Sequence, residues 1–411
     1  MKAAKFRFYP TLAQRKQLAV EFIVRRKVWN WALETRRTAY REDKTNLNAV
    51  ALSRLLTLER RQIPFLKKGS ATVSTYTLRD LDSAFDNFFK KQAKFPKRKK
   101  FGTVNSAQYQ IDKRNQHFRD GELLKLPKLG VCKIRWSRSI PIIPNSATVS
   151  HTPDGKWYIS LQYDCDEPIS PPEPVSPVVG IDLGLTTLVT LSTGEKINGL
   201  NPFKNTRRKL AIAQRRLSKA QRGGSTRRKR KQRVASIHRK ISNQRKDFQH
   251  KLSTSIVTQH GAIGIEDLNV RGMMANGKLS RAVADCGFYE LRRQISYKAK
   301  WYGRTVVEYP RFDRSTGVCP ECGIVGEKLP LSKREWTCEC GVTHDRDIAA
   351  AQVIALYTAG KAGINDSGLA HTPDNNGITR DDMGRIEGVK TQLTSANGLA
   401  QCTPRSQGAR L

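Results

Sequence analysis

Three acidic residues in apolar surroundings constrain the fold of this chain more than any other feature. Asp182 lies in the run Val-Val-Gly-Ile-Asp-Leu-Gly-Leu, Glu266 follows Ala-Ile-Gly-Ile, and Asp347 precedes Ile-Ala-Ala-Ala. The first two runs are typical of buried strands, whereas residues 348–359 are predicted to form a helix whose alanines allow close packing. Because two Mg²⁺ ions that cut a phosphodiester need carboxylates converging at one point, we predict that these three elements bring the acids together.

Each acid taken alone is weak evidence for such a centre. An aspartate at the start of a helix, such as Asp347, is commonly only an N-cap. Asp267 and Asp345 are neighbours in the sequence that compete for the same roles. The order of strand, strand and helix N-terminus is that of an RNase H-like nuclease core, and the three acids in that order are the stronger signal.

The chain also carries a large excess of positive charge. Its 411 residues include 74 Lys and Arg against 36 Asp and Glu, which gives a net charge of +38. A globular protein with this excess repels itself unless a polyanion neutralises it. Nucleic acid is the expected partner, because each neutralised phosphate releases counterions. The alternative is an enzyme that is basic for another reason.

A membrane location is not expected from the sequence. No apolar run approaches the roughly 20 residues that cross a bilayer. The opening residues, Met-Lys-Ala-Ala-Lys-Phe-Arg-Phe-Tyr-Pro, are too polar for a signal peptide. We therefore expect a cytoplasmic protein in a reducing compartment, where disulfides rarely form.

The N-terminal part is predicted to combine helices with a small β-rich unit. Thr11 and Gln14 have the capping-box spacing that begins an amphipathic helix, and helical patterns continue to about Phe89. Residues 120–165 change to short strands, with alternating apolar residues after an Asp-Gly turn at positions 154–155. We predict a small β unit such as a barrel in this region.

Two segments concentrate the positive charge. Positions 90–100 hold seven basic residues among proline and phenylalanine, a mixture that favours contact with nucleic acid over a plain surface loop. Residues 201–250 hold 18 Lys or Arg against one acid and are predicted to form two long helices broken near Gly223-Gly224. Because like charges at this density repel, a groove for a phosphate backbone is favoured over a merely solvated face. The residues expected to bind nucleic acid are Lys97, Arg98, Lys99, Lys100, Arg207, Arg208, Arg215, Arg216, Arg227, Arg228, Lys229, Arg230, Arg239 and Arg245.

Four of the eight cysteines have the spacing of a zinc ribbon. Cys319 and Cys322 form one Cys-x-x-Cys pair, and Cys338 and Cys340 form a contracted Cys-x-Cys pair before a glycine. The contraction leaves His344 as an alternative ligand, and a redox dithiol is a second reading of the motif. We predict one structural Zn²⁺ held by the four cysteines, whose work is to keep this segment folded.

The combined motifs resemble those of the TnpB family, transposon-encoded relatives of type V CRISPR effectors. The resemblance rests on Gly-Ile-Asp-Leu-Gly-Leu, Ile-Glu-Asp-Leu-Asn-Val-Arg-Gly-Met-Met and the cysteine motif with its Thr-His-Asp-Arg-Asp ending, and it spans residues 1 to about 360. It implies an RNA-guided DNA endonuclease that binds a guide RNA and target double-stranded DNA. It further implies a monomeric protein in a ribonucleoprotein, associated with the nucleoid of a prokaryotic cell.

The resemblance also implies an α/β multidomain architecture. A RuvC nuclease core of RNase H-like fold would contain an inserted zinc ribbon, and an N-terminal β-barrel wedge domain would carry a helical recognition insert. The implied domains are a wedge barrel (1–9 and 108–167), a recognition domain (10–107), a Pro-rich linker (168–177), a RuvC domain (178–315 and 344–360), a zinc ribbon (316–343) and a disordered tail (361–411).

Carried over by motif, the catalytic residues and ligands of two Mg²⁺ ions are Asp182, Glu266 and Asp347. The family follows the last acid with x-Asn-Ala-Ala, whereas this chain has Ala349 in place of that asparagine. Because of this exchange, a second hypothesis stays open: the protein is an RNA-guided DNA-binding regulator whose nuclease is silent or weak. A third hypothesis is a strand-transferring transposase, because the RNase H fold also serves integrases.

Overall fold

A computed structural model describes residues 2–112, 117–140, 142–164, 173–174, 176–327, 330 and 332–363. Most of the predicted linker and the tail from residue 364 therefore lie outside the described residues. The chain divides into two compact units. Unit 1 contains Met1–Glu167 and Ala213–Ser236, and unit 2 contains Pro168–Ile212 and Ile237–Leu411.

Unit 1 begins with a strand and a group of helices that pack around aliphatic side chains. The first helix starts with the predicted capping box, because Thr11 Oγ1 accepts from Gln14 N and Gln14 Oε1 accepts from Thr11 N. Leu33, Leu52 and Leu81 lie in the centre of the helical core. These helices are α1 (Leu12–Asp43), α2 (Ala49–Gln62), α3 (Pro64–Lys67) and α4 (Ala71–Phe89).

The remainder of unit 1 is built on an antiparallel sheet. Its strands are β1 (Lys2–Phe8), β2 (Ser106–Gln110), β3 (Phe118–Arg119), β4 (Leu123–Leu126), β5 (Gly130–Val131), β6 (Ile134–Arg135), β7 (Ser146–His151) and β8 (Trp157–Tyr163). Five of them pair in the order β2-β7-β8-β1-β6, and β3, β4 and β5 form a separate small sheet. The predicted Asp-Gly turn joins β7 to β8, and Phe6, Tyr109 and Ile159 are buried in the core.

This sheet does not close into the predicted wedge barrel. Within the described residues, β2 and β6 form its two edges and do not pair with each other. Closure requires staggered pairing around the whole ring, and β6 has only two residues with which to continue the ladder. The prediction of a barrel was therefore wrong, and the unit is an open sheet with helices.

Unit 2 contains a mixed five-stranded sheet and a β-hairpin near the cysteines. Its strands are β9 (Ser176–Asp182), β10 (Val189–Leu191), β11 (Lys196–Ile197), β12 (His260–Glu266), β13 (Thr305–Tyr309), β14 (Glu335–Thr337) and β15 (Thr343–Asp345). The order is β11-β10-β9-β12-β13, in which β9, β12 and β13 are parallel and β10 is antiparallel to β9. The apolar runs that precede the first two predicted acids are thus neighbouring central strands.

The later helices include the two predicted for the basic region. They are α5 (Pro202–Ser218), α6 (Ser225–Gln259), α7 (Val270–Ala275), α8 (Ser280–Cys286), α9 (Phe288–Trp301) and α10 (Arg346–Ala362). The break between α5 and α6 contains Gly223-Gly224, as predicted. None of the helices in the described part of the chain combines the length and apolar content that crossing a bilayer requires.

Glycines in the central strands let α10 lie directly on the sheet. A Cβ atom at Gly180 of β9 would lie 1.9 Å from the carbonyl oxygen of Ala351. A Cβ atom at Gly264 of β12 would lie 2.1 Å from Thr358 Oγ1. Both strands therefore approach the helix more closely than any side chain would allow, and this contact fixes the start of α10 relative to the strand ends.

Candidate acidic centre and cysteine cluster

The register of β9 and β12 places two of the predicted acids side by side. Ile181 pairs with Ile265 in this parallel ladder, and the next residue in each strand is Asp182 or Glu266. Neighbouring strands lie about 4.8 Å apart, so the two acids leave the carboxyl end of the sheet together. Both side chains are half-buried, which leaves them reachable from solvent.

Helix α10 brings the third acid to the same place. Side chains alternate along a strand, so Asp182 lies on the face of β9 that Gly180 presents to α10. Asp347 lies one helical turn before Ala351, the residue that contacts Gly180. The helix-on-sheet contact therefore positions all three carboxylates at one end of the sheet.

The electrostatics of the centre favour binding of a cation. Burial, together with repulsion from the Glu266 and Asp347 carboxylates, raises the pKa of Asp182 to about 7. Burial also raises the pKa of Glu266, although a hydrogen bond of 2.8 Å from Ser315 Oγ opposes this. A divalent cation between the carboxylates would stabilise the ionised form of each. The available ligand atoms are the oxygens of three carboxylates, which suit Mg²⁺.

Asp345, one of the two competing acids, caps the helix. Its carboxylate accepts hydrogen bonds of 3.1 Å from the backbone N–H groups of Asp347 and Ile348. Lys196 Nζ lies 2.6 Å from its other oxygen. The N-cap of α10 is therefore Asp345, and the reading of Asp347 as a simple cap was wrong.

Asp267, the other competitor, is held by two arginines. Arg292 Nη1 and Arg311 Nη2 lie 3.0 Å and 2.6 Å from its carboxylate oxygens. The hydrogen bond from Arg292 holds the pKa of Asp267 below its usual range. Both competing acids thus form close ion pairs, of 3.0 Å or less, with cationic side chains.

The four predicted zinc ligands form the second cluster. All four Sγ atoms lie within 4.8 Å of one another, with 3.8 Å between Cys319 and Cys340 and 3.5 Å between Cys322 and Cys338. In the described part of the chain, this is the one group of three or more such ligand atoms that is so tightly gathered. Gly341 makes the turn of the contracted motif with a φ of 86°, and its N–H donates to Cys338 O.

The chemistry of this cluster fits a Zn²⁺ ion. Burial raises the pKa of the Cys319 thiol, so a thiolate there needs a bound cation to stabilise it. His344, the alternative ligand, has its Nε2 atom 3.2 Å from Cys319 Sγ and its ring against Trp336. Four converging sulfurs already provide a complete tetrahedral set.

Comparison with known proteins identifies the family of the chain. Residues 160–277 match the OrfB_IS605 family, described as "Probable transposase", residues 1–45 match its helix-turn-helix domain, and residues 288–354 match the Cas12f1-like TNB domain. A Streptomyces pristinaespiralis protein named "Putative RNA-guided DNA endonuclease" is 41% identical over 357 residues, covering 86% of this chain and 88% of that protein. The chain belongs to the TnpB family.

One further relative supports the family, and one solved structure shares the fold. "Putative RNA-guided DNA endonuclease InsQ" of Escherichia coli K12 is 34% identical over 310 residues, covering 71% of this chain and 75% of that protein. The solved structure "Cryo-EM structure of the Cas12f1-sgRNA-target DNA complex" matches with a TM-score of 0.55 and 13% identity, covering 86% of this chain and 98% of that one. At that identity the match shows a shared Cas12f-like mixed α/β fold.

Ala349, where the family resemblance implies asparagine, is buried beside the cysteines. Ala349 is 1% exposed and packs in a cluster with Cys319, Trp336 and Cys338. An amide at this position would enter an apolar environment and would need a hydrogen-bond partner there. The alanine instead joins the start of α10 to the cysteine cluster through close packing.

The basic segment after α4 is anchored through its backbone. Trp29 Nε1 donates to Lys97 O, and the Asn30 side chain exchanges two hydrogen bonds with the backbone of Lys99. The Lys99 ammonium lies 4.3 Å from the centre of the Trp29 ring. Residues 97–100 are all exposed, so their positive charges are presented on an ordered backbone.

The predicted contacts on α5 and α6 fall into two groups. Three arginines donate to backbone carbonyls: Arg227 to Leu217 and Ala220, Arg230 to Arg216, and Arg245 to Ala284. These three therefore have a structural role that the sequence did not indicate, and Arg239 is half-buried. The exposed members are Arg207, Arg208, Arg215, Arg216, Arg228 and Lys229.

Several residues around the acids were missed from the sequence. Ser315 contacts Glu266, Lys196 contacts Asp345, and Arg334 Nη1 lies 3.5 Å from Asp347 Oδ1. No periodicity or motif distinguishes these residues from other polar side chains. Their proximity in sequence to the cysteine motif was the one available signal, and it applied to Ser315 and Arg334 alone.

Proposed function

We propose that this protein is an RNA-guided DNA endonuclease whose catalytic residues are Asp182, Glu266 and Asp347. The observation that supports the proposal most is that two half-buried acids end neighbouring parallel strands and that both Glu266 and the half-buried Asp347 repel the charge of Asp182. The names of its relatives support RNA-guided cleavage of DNA. The N-capping hydrogen bonds of Asp345 and the two arginines bound to Asp267 support this choice among the nearby acids.

The three carboxylates would hold two Mg²⁺ ions. When bound, such ions activate a water molecule and stabilise the leaving oxygen of a phosphodiester. The Ser315 hydroxyl donates to Oε1 of Glu266. Asp345 fixes the first turn of α10 and so the position of Asp347. Arg334, which lies near Asp347, adds positive charge where a phosphate would approach.

The cysteine cluster would hold one structural Zn²⁺ ion. Its four sulfurs leave no open position for a substrate, in contrast to the acids, so its role is to fold the surrounding segment. We assign residues 316–343 to this ribbon, of which residues 328, 329 and 331 lie outside the described residues. Residues 178–315 and 344–360 would form the RuvC domain around it.

The basic surfaces would bind guide RNA and target DNA. The exposed arginines of α5 and α6 and the anchored segment at 97–100 suit contact with phosphates, while base pairing by the guide supplies sequence recognition. Residues 10–107 would act as a recognition domain, and residues 1–9 and 108–167 as a wedge domain. Such a ribonucleoprotein works on the DNA of the nucleoid.

The test is plasmid cleavage by the purified ribonucleoprotein. The RNA that copurifies with the protein is sequenced, and a plasmid that carries the matching target is incubated with the particle and Mg²⁺. We expect cleavage of this plasmid and none by Asp182→Asn or Glu266→Gln particles that retain the RNA. Target binding without cleavage would favour a silent regulator instead. Joining of DNA ends without RNA would favour a strand-transferring transposase.

A further inference from the structure

One end of the cysteine segment contacts the acidic centre, and the other end leads directly into it along the chain. Ser315 lies four residues before Cys319, and its Oγ atom donates to Glu266 Oε1 at 2.8 Å. His344, which contacts Cys319 at 3.2 Å, lies three residues before Asp347. The chain therefore passes from one acid into the cysteine cluster and back to a second acid within a few residues on each side.

The environment of Ser315 suits a residue that orients a carboxylate. Ser315 is 6% exposed, so its hydroxyl has little access to water and makes its hydrogen bond inside the protein. Glu266 has three side-chain torsions, and a buried donor that fixes one oxygen restricts all of them. Partners of this kind set the direction of a metal-binding carboxylate and strengthen its interaction.

Other contacts hold the Ser315 segment independently of the serine hydroxyl. Tyr309 Oη donates to Arg314 O at 3.0 Å. Arg311 Nε donates to Asp267 O at 3.0 Å, directly after Glu266 in the chain. Removal of the hydroxyl alone should therefore leave the backbone in place, which makes Ser315→Ala a specific test of the hydrogen bond.

We propose that Ser315 is a positioning residue for Glu266, and that the folded cysteine cluster fixes Ser315 in place. The inference rests on the proposed function, because the role of Glu266 as a metal ligand belongs to it. Ser315 touches neither substrate nor metal in this account. Its effect passes through the carboxylate it orients, and the cluster acts on the centre through the short connection between Ser315 and Cys319.

The test measures Mn²⁺ affinity by electron paramagnetic resonance on the full ribonucleoprotein. The signal of an Asp182→Ala particle is subtracted, because RNA binds Mn²⁺ elsewhere. We expect Ser315→Ala to weaken Mn²⁺ binding about 10- to 100-fold, the range typical for loss of such a partner. Ser315→Thr, which keeps the hydroxyl, should retain most of the affinity. Ser296→Ala, an exposed serine on α9, is the matched control and should bind as the wild type does.

A double-variant comparison separates positioning from general loosening. In a Glu266→Ala background, Ser315→Ala should cause no further loss of Mn²⁺ affinity, because the residue it orients is gone. The proposal would be overturned if Ser315→Ala lowered Mn²⁺ affinity in the Glu266→Ala background as much as it does in the wild type. It would also be overturned if Ser315→Ala alone bound Mn²⁺ with wild-type affinity. If Ser315→Ala also loses zinc, the Ser315→Thr variant is the deciding comparison. High Mn²⁺ affinity in Ser315→Thr supports the proposal, whereas a loss of Mn²⁺ affinity as large as that in Ser315→Ala overturns it.

A separate experiment tests whether the cysteine cluster affects the acidic centre. Cys322→Ser, with its zinc content measured, should weaken Mn²⁺ binding at the acids, and unchanged affinity in a zinc-free particle would overturn the link. Failure of the proposed function is distinguishable from failure here. A wild-type particle that binds Mn²⁺ at the acids without cutting DNA contradicts the function alone, whereas cleavage by the wild type with full affinity in Ser315→Ala contradicts this inference alone.

Discussion

The cysteine cluster and the acidic centre gather their ligand atoms in different ways. The cluster uses four sulfurs within 4.8 Å of one another, brought together by local turns and a short hairpin. The proposed acidic centre combines Asp182, Glu266 and Asp347, which strand register and the packing of α10 on the sheet place near the same end of the sheet in unit 2. The closed sulfur set suits a structural ion, whereas the half-buried carboxylates suit ions that must also meet a substrate.

The largest expected effect comes from removal of one acid. Asp182→Ala or Glu266→Ala should lower the rate of plasmid cleavage by about 10⁴-fold or more, because a catalytic set that acts as a unit does not tolerate loss of a member. Zinc content and bound RNA should match the wild type, since the cluster is a separate site. Full cleavage by the Glu266 variant would remove that residue from the centre.

Loss of zinc should disturb folding first and catalysis second. Cys338→Ser is expected to abolish zinc binding and to expose residues 316–343 to limited proteolysis, because a ribbon of this size has little core without its metal. Mass spectrometry of metal content and of the fragments measures both effects. The buried Cys286 on α8 provides a control, since Cys286→Ala should keep zinc and resist cleavage in this segment. Zinc binding without Cys338 would contradict the four-sulfur site.

The contact between α10 and the sheet can be tested at one glycine. Gly180→Ala places a Cβ atom 1.9 Å from Ala351 O, a backbone atom that cannot move alone. The free energy of unfolding should fall by about 3 kcal/mol, near the upper end for overpacked cores. Gly277→Ala, where no atom lies within 4 Å of the new Cβ, should change it by less than about 0.5 kcal/mol. Equal stabilities in chemical denaturation would contradict this packing.

The repulsion within the acidic centre predicts a pH dependence in metal-free protein. The pKa of Asp182 is raised to about 7, so the folded state keeps its proton where the unfolded state has lost it. The contribution of the Asp182 carboxyl to the free energy of unfolding is therefore fully present at low pH and is lost as the pH rises from about 4 to 7. Asp182→Asn should stabilise the protein by about 2 kcal/mol at pH 7 and hardly at all at pH 4. Equal gains at both values in urea unfolding would contradict the repulsion.

The smallest expected effect distinguishes the two acids at the start of α10. Asp345→Ala should lower the free energy of unfolding by about 1 kcal/mol, because the helix loses its N-cap. Asp347→Ala should cause no such loss, since its carboxylate is not the cap and its removal relieves repulsion. Thermal denaturation of the two variants makes the comparison. A larger loss for Asp347→Ala would reverse the assigned roles.

Local patterns in the sequence predicted much of this structure. The capping box at Thr11, the strands around Asp182 and Glu266, the break between α5 and α6 and the four converging cysteines each depend on residues close together in the chain. Such patterns can be read from the sequence, because hydrophobic periodicity and turn residues largely determine local structure. The cysteine cluster was predictable for the same reason.

The remaining features depend on contacts between distant segments. Closure of the β unit into a barrel depends on whether β2 pairs with β6, and the sequences of these two strands do not indicate whether they pair. The choice between Asp345 and Asp347 depends on which residue begins the helix, a boundary that sequence patterns define poorly. The contact of Ser315 with Glu266 arises from a return of the chain after β13, and a single buried serine gives no periodic signal.

The most direct measurement is the location of metals in crystals of the ribonucleoprotein grown with Mn²⁺. Anomalous scattering recorded at the manganese and zinc absorption edges identifies each ion separately. We expect manganese between the carboxylates of Asp182, Glu266 and Asp347, and zinc among the four sulfurs. Manganese bound elsewhere, with no ion within reach of these three acids, would contradict the account.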